Sequence, residues 1–290
     1  MPNAVEPLTE SPTRLDAALA LLADTEGPPW QPLAGGTDLM VRMTGEIGEP
    51  PERIVDIWGL DELRGIDVDD GALRIGALTT YTEIRRSSLI AEHAPVLAEA
   101  AATIGAAQIQ NRGTIGGNVV NASPAGDTLP VLLALGAELV LASAAGERTV
   151  PADEFWPSYR VTARRPDELL VAVRVPLAPD RQARFRKVGT RRAQAISKVV
   201  LAIAWRARVS TAPWSDVRVA LGSVAATPVR ATGTEALLEG AIPSRETADA
   251  AVAALSGEIH PIDDVRSTAG YRLAVAGRVL HRLIRDAGGW

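Results

Sequence analysis

The stretch GTIGGNVVNASPAGD, residues 113–127, decides how the chain is read. Glycine recurs at 113, 116, 117 and 126, and asparagine, proline and aspartate fill much of the rest. The segments on either side are rich in Ala, Leu and Val. A single turn needs one or two permissive residues, and this stretch supplies many. A second glycine pair lies upstream in LAGGTDLM, residues 33–40. Glycine brings backbone N–H groups close to an anion because no Cβ intervenes. Successive N–H groups in a tight turn form a concave seat for phosphate oxygens. The hydroxyls of Thr37 and Thr114 add donors. No G-K-[ST] follows either loop, and neither is a G-x-G-x-x-G opening a βαβ helix, so P-loop and Rossmann sites are set aside. Two readings stay open for each loop, an ordinary turn or half of a shared pyrophosphate cradle.

The composition narrows the chemistry. The chain has 290 residues, 47% of them hydrophobic and 22% charged, as expected of a globular protein with a substantial core. It has no cysteine, which excludes disulfides, thiolate nucleophiles, Cys-ligated zinc and iron–sulfur clusters held by this chain. The three histidines, His93, His260 and His281, lie far apart and form no metal-ligand spacing. Any redox chemistry therefore needs a bound organic cofactor or a partner chain. The net charge of -5 argues against nucleic acid and anionic membranes. No apolar run approaches the roughly 18 residues of a membrane span. The first residues lack the basic and apolar regions of a signal peptide, so the expected location is cytoplasmic.

Periodicity places the elements. SPTRLDAALALLADT reads as a helix capped by Ser11 or Thr13. QPLAGGTDLMVRM reads as a strand, a Gly-Gly turn and a helical turn, and ERIVDIW as a strand. GIDVDDGALRIGALTT reads as a hairpin turning at Asp70-Gly71. Thr80 and Glu83 form a capping box, and Pro95 opens a helix through APVLAEAAATIGAAQ. An apolar helix at 129–135 precedes a hairpin turning at Ala145-Gly146, and DELLVAVRVPL is a strand. ARFRKVGTR, SKVVLAIAWRARVS and DVRVALGSVAAT are three more, after a break near residues 177–182. SRETADAAVAALSGE and STAGYRLAVAGRVLHRLIRDA close the chain as helices. Strands and helices fall in blocks, which favours an α+β fold over a doubly wound sheet.

Three blocks carry a resemblance. PLAGGTDLMVRM, then QIQNRGTIGGNVVNASPAGDTLPVLLALGAELVL, then FRKVGTRRAQAISKV resemble the FAD-binding medium subunit of the xanthine dehydrogenase / carbon monoxide dehydrogenase family of molybdenum hydroxylases. A Tyr-Arg pair near the start of the final helix, Tyr271 and Arg272, is also similar to the family's. The resemblance implies an FAD-binding domain of the vanillyl-alcohol oxidase / p-cresol methylhydroxylase type over residues 1–178, built from two α+β subdomains split near residue 60. It implies a C-terminal domain over 179–290 with a three-stranded antiparallel sheet and a helical bundle. It further implies partners: a small subunit with [2Fe–2S] clusters and a large subunit with the molybdopterin cofactor, in a dimer of heterotrimers.

The same resemblance assigns site residues. Leu33, Ala34, Gly35, Gly36, Thr37, Asp38, Leu39 and Met40 match the family's first FAD-pyrophosphate segment. Thr114, Ile115, Gly116, Gly117 and Asn118 match the second, with backbone N–H groups of both loops on the pyrophosphate. Ile104 falls at a contact to the flavin nucleotide and Val120 near the isoalloxazine ring. Ser123 and Asp127 belong to the A-S-P-x-x-D segment, with Asp127 on the adenosine side. Leu170 matches an apolar contact, and Lys187 a lysine near the flavin. Read from the residues alone, Leu33, Ile104, Val120 and Leu170 also suit a core, and Asp127 a helix cap. Gln110 and Gln194 depart from relatives that carry charge there. No residue is assigned as a catalytic acid or base or as a metal ligand. The implied function is an FAD-carrying electron-transfer subunit that hands electrons to NAD+, O2 or another acceptor. The alternatives are a self-sufficient FAD-dependent oxidase or a scaffold that has lost FAD. Gly116→Val is expected to abolish FAD retention and spare the fold, because a Cβ would block the anion.

Overall fold

The computed structural model describes residues 6–43, 49–191, 194–209 and 211–290. The first strands, β1 (Leu8–Glu10), β2 (Trp30–Leu33) and β3 (Arg53–Asp56), form a small parallel sheet in the order β1-β3-β2. Helix α1 (Leu15–Leu22) and the short α2 (Leu39–Met43) accompany it. Neither Ser11 nor Thr13 caps α1. Arg14 holds the cap position without a side-chain bond, and Glu62 accepts from the Leu15 N–H at 3.2 and 3.4 Å. The cap thus comes from 47 residues away, where local sequence carries no sign of it.

The second sheet is antiparallel. It runs β4-β5-β8-β6-β7, with β4 (Ile66–Asp69), β5 (Ala72–Gly76), β6 (Glu138–Ser143), β7 (Gly146–Pro151) and β8 (Leu169–Pro176). Asp70 and Gly71, at φ 45° and 67°, make the two-residue turn between β4 and β5. The β6–β7 turn is Ala144-Ala145, one residue earlier than the sequence reading, because Gly146 already pairs with Ser143. Between β5 and β6 lie α3 (Tyr81–Arg86), α4 (Ser88–His93), α5 (Pro95–Ala101), α6 (Ala107–Gln110), α7 (Ile115–Asn121) and α8 (Leu129–Leu135). The capping box of α3 is present on both sides, Thr80 to the Glu83 N–H and Glu83 to the Thr80 N–H. The helix expected through residue 108 stops at Ala101, because Gly105 takes a left-handed φ of 49° before α6 begins.

The glycine-rich stretch is not a loop throughout. Residues 115–121 form α7, whose N-cap Thr114 accepts from the Gly117 N–H at 3.1 Å. Ala122 ends it in the left-handed region at φ 50°. The helix lies directly on the chain after β5: a Cβ on Gly116 would fall 2.7 Å from the Ala77 Cβ and 2.8 Å from its carbonyl oxygen. Gly116 is thus required by packing.

The last sheet runs β12-β11-β10-β9, with β9 (Arg181–Val188), β10 (Val199–Arg206), β11 (Ser215–Gly222) and a two-residue edge, β12 (Val229–Arg230), beside the three strands read from sequence. Helices α9 (Thr232–Leu238), α10 (Arg245–Ser256) and α11 (Ala269–Gly288) cover one face. Helix α9, unseen in the sequence, starts where Glu258 accepts from the N–H groups of Gly233 and Thr234. Strand β10 is buried on both faces. Val199, Leu201, Ile203 and Trp205 enter a core with α10 and α11, while Ala202 and Ala204 face the core under α5 and α8. Trp205 stacks on Trp214 at 4.6 Å and is 1% exposed. Trp205→Ala should lower unfolding stability by about 3–5 kcal/mol, read as a shifted urea midpoint. A midpoint within error of the parent would show that this core is not close-packed.

Candidate functional site

The two glycine loops meet backbone to backbone. A Cβ on Gly35 would fall 1.7 Å from the carbonyl oxygen of Arg112, so only glycine lets the first loop reach the second. The Asn121 amide donates to Asp38 Oδ1 at 2.9 Å and ties the far end of α7 to the first loop. Arg160 donates to Asn121 Oδ1 at 3.0 Å. Trp58, at the end of the strand beside the first loop, carries the guanidinium of Arg112 at 3.8 Å and that of Arg64 at 4.5 Å from its ring centre.

The loops differ in what they offer. Ile115, Gly116, Gly117 and Asn118 donate their N–H groups to Thr79 O, Ala77 O, Thr114 Oγ1 and Thr114 O, at 2.9–3.1 Å. The expectation that N–H groups of both loops face an anion is therefore corrected for these four: α7 uses its own. By contrast, the N–H groups of Gly35, Gly36, Thr37 and Asp38 donate to no acceptor among the described residues. These residues are half-buried or, at Asp38, exposed. Leu33 and Ala34 lead into this row, and Leu39 and the exposed Met40 begin α2 behind it. On the second loop, Gly117 is exposed and a Cβ there would meet only Thr114 Oγ1, at 2.9 Å. Asn118 Oδ1 accepts from Thr128 Oγ1 at 2.7 Å, which leaves the amide NH2 as its free donor. The expectation that Gly116→Val spares the fold is also corrected, because the new side chain would strike Ala77.

A buried ion pair lies below. Lys187 Nζ, on β9, donates to Asp127 Oδ2 at 2.5 Å and to Thr103 O at 3.0 Å. Asp127 is 7% exposed, and its Oδ1 is buried with no partner. Burial pushes the Asp127 carboxyl up, and the Lys187 ammonium opposes that shift. Burial likewise raises the phenol of Tyr81, whose hydroxyl is also unpartnered. Asp127 Oδ1 and the Tyr81 hydroxyl are thus two buried polar atoms without a partner in this polar floor.

The other sequence candidates are placed as follows. Ile104 is half-buried beside Thr103, and its carbonyl accepts from the Gln110 amide at 2.8 Å. Gln110 is buried and accepts from Arg85 at 2.5 Å, so it joins α3 to α6 instead of carrying charge. Val120 is half-buried on α7 beside Val119, whose carbonyl accepts from Trp156 Nε1. Ser123 Oγ accepts from the Ala125 N–H, a turn within the segment leading to Asp127. Leu170 is 2% exposed and belongs to the core below α7, apart from the loops. Gln194, at φ 51°, accepts through its carbonyl from Arg191. Sequence reading missed Trp58, Arg64, Arg112 and Arg160. Arg112 stood in plain view in N-R-G-T, but its stacking on Trp58 depends on a contact 54 residues away.

Comparison with known proteins settles the family. Residues 5–178 match the FAD binding domain in molybdopterin dehydrogenase, and residues 184–287 match the CO dehydrogenase flavoprotein C-terminal domain. The chain belongs to the FAD-binding medium subunits of the molybdenum hydroxylases. This medium subunit is 32% identical over 277 residues to the carbon monoxide dehydrogenase medium chain of Hydrogenophaga pseudoflava, covering 96% of this chain and 95% of that one. It is 33% identical over 274 residues to a xanthine dehydrogenase FAD-binding subunit of Escherichia coli O157:H7, covering 93% and 92%. Its fold is similar to that in reconstituted CO dehydrogenase from Oligotropha carboxidovorans, with a TM-score of 0.92, 29% identity and 98% of each chain covered. The relatives are named as dehydrogenases, and the resemblance carried by the three sequence blocks holds. Among the described residues, no helix is long and apolar enough to cross a membrane.

The ion pair in this medium subunit gives a test. Lys187→Met leaves a buried carboxylate without its cation, at a cost of about 3–5 kcal/mol near neutral pH. The raised Asp127 carboxyl of the folded variant binds its proton before the unfolded chain does, so folding is favoured as pH falls. The stability gap to the parent, measured by urea titration, should therefore narrow toward acid pH. A gap that is constant with pH would place the cost elsewhere.

Proposed function

We propose that this medium subunit carries FAD and serves as the electron-exit subunit of a heterotrimeric molybdenum hydroxylase. The observation that carries the reading is the row of undonated N–H groups at Gly35, Gly36, Thr37 and Asp38, pressed against the second loop by a glycine contact that admits no Cβ. Four successive backbone donors without an acceptor suit a pyrophosphate, and the guanidinium of Arg112 on Trp58 adds positive charge. Thr114, Gly117 and Asn118 form the opposite wall, and the unpartnered Oδ1 of Asp127 is an acceptor for a cofactor hydroxyl. Ile104 and Val120 offer apolar contact to the ring system, while Leu170 supports α7 from the core. Ile115 and Gly116 act by packing.

When bound, FAD supplies a store for two electrons, filled singly from [2Fe–2S] clusters and emptied to NAD+, O2 or another acceptor. The chain's own residues bind, orient and exclude water. Lys187 places a cation in the polar floor, held there by Asp127 and Thr103. The absence of cysteine is consistent with clusters held on another chain; the family reading puts them on a small partner subunit, with the molybdopterin cofactor and the substrate on a large one. We take residues 1–178 as the FAD module and 179–290 as the C-terminal module, in a cytoplasmic dimer of heterotrimers.

The test is the visible spectrum of the full chain, purified alone and with co-expressed partners. Flavin bands near about 370 and 450 nm are expected. A colourless protein that takes up no FAD in either preparation would overturn the reading. Gly117→Leu fills the exposed face of α7 and should lower FAD occupancy by roughly tenfold with the fold retained, judged by far-ultraviolet circular dichroism. Parent-level occupancy would remove Gly117 from the site.

A further inference from the structure

Arg272 is 5% exposed, near the start of α11. A guanidinium is costly to bury, and an apolar side chain of similar volume would pack there at no such cost. What it touches explains its presence. Its NH1 donates to Ser223 O at 2.8 Å and to Lys198 O at 3.4 Å, and its NH2 donates to Asp264 Oδ1 at 2.7 Å. One rigid fork thus joins the start of β10, the end of β11 and the loop before α11.

Those two strand ends grip the FAD module. The Ser223 N–H donates to Pro124 O at 2.7 Å, from a left-handed φ of 65° that serine adopts only under constraint. Ser197 Oγ donates to Ala125 O at 3.0 Å and lies 3.1 Å from Ser223 Oγ. Ser197 and Ser223 are both buried. Pro124 and Ala125 belong to the A-S-P-x-x-D segment, and Asp127 follows two residues later. The partner of Asp127, Lys187, pairs in register with Val200, two residues from Lys198. Both members of the ion pair are therefore placed by elements that Arg272 holds together.

We propose that Arg272 is a positioning residue for the FAD site, acting through Ser223 and Ser197 to fix Asp127 against Lys187. The inference rests on the reading of this site as the FAD site. The C-terminal module then acts as a clamp on the cofactor segment, and the coupling works in both directions: FAD bound at the site tightens the module.

The test uses the full chain, stripped of flavin and titrated with FAD by fluorescence quenching, with urea midpoints measured in parallel. Arg272→Met should raise the Kd for FAD about tenfold. Arg272→Lys should restore part of that loss, since an ammonium cannot span the same acceptors as the fork. Ser197→Ala deletes one bridge and leaves the Arg272 guanidinium in place, so it decides the matter if Arg272→Met fails to fold. It should raise the Kd several-fold. The control is Val279→Ala, in the core face of α11 and outside the clamp. It should lower the urea midpoint and leave the Kd unchanged. Parent-level Kd in Ser197→Ala and the Arg272 variants overturns the proposal, as does a Kd rise in Val279→Ala matching theirs at equal loss of stability. Failure of the parent chain to take up FAD overturns the underlying reading, and the clamp with it.

Discussion

The contact between Gly35 and the Arg112 carbonyl is the constraint on which the site depends. A Cβ at residue 35 would lie only 1.7 Å from that oxygen, so any other side chain would push the two loops apart. Their separation fixes the rest: the free N–H row of the first loop, the Asp38–Asn121 bond at its far end and the stacking of Arg112 on Trp58. Gly116 has the matching role a layer down, where it seats α7 on Ala77. Gly35 and Gly116 supply proximity, while Gly36 in the same first loop uses glycine's freedom at φ 77°.

Much of this was legible. Three strand-like runs after residue 182, the Asp70-Gly71 turn, the Thr80–Glu83 box and the Ser244 start of α10 all follow local rules, and the structure keeps them. Three of the misread elements share a cause. The cap of α1 is Glu62, the start of α9 is set by Glu258, and α7 forms in a glycine-rich stretch because its first N–H groups find Thr79 and Ala77. Each is decided by a residue distant in sequence, which no window of a dozen residues can reveal. The same holds for the site. Both glycine loops were visible as candidates, but which of them keeps its donors free depends on partners contributed by the chain after β5.

Charge is handled by enclosure as well as by solvent. Lys187 with Asp127, Arg272 with Asp264 and Arg230 with Glu235 are each at least partly withdrawn from water and joined in pairs or forks. Such pairs add little net stability over apolar packing, but breaking one is costly, so they define a single arrangement of the elements they join. Lys187 on β9 reaches Asp127 in the segment after α7, Arg230 on β12 reaches Glu235 on α9, and Arg272 on α11 also reaches the ends of β10 and β11.

Strand β10 gives the architecture a further property. Its large side chains face α10 and α11, and Ala202 and Ala204 face the core shared with α5 and α8. The strand is a wall common to two rooms. Within the family, exchange of one module between relatives would replace only one side of that wall. The surviving half would meet alanines spaced for a different neighbour. Changes at Ala202 and Ala204 are therefore expected to be matched by changes in α5 and α8, so the two modules diversify as a set.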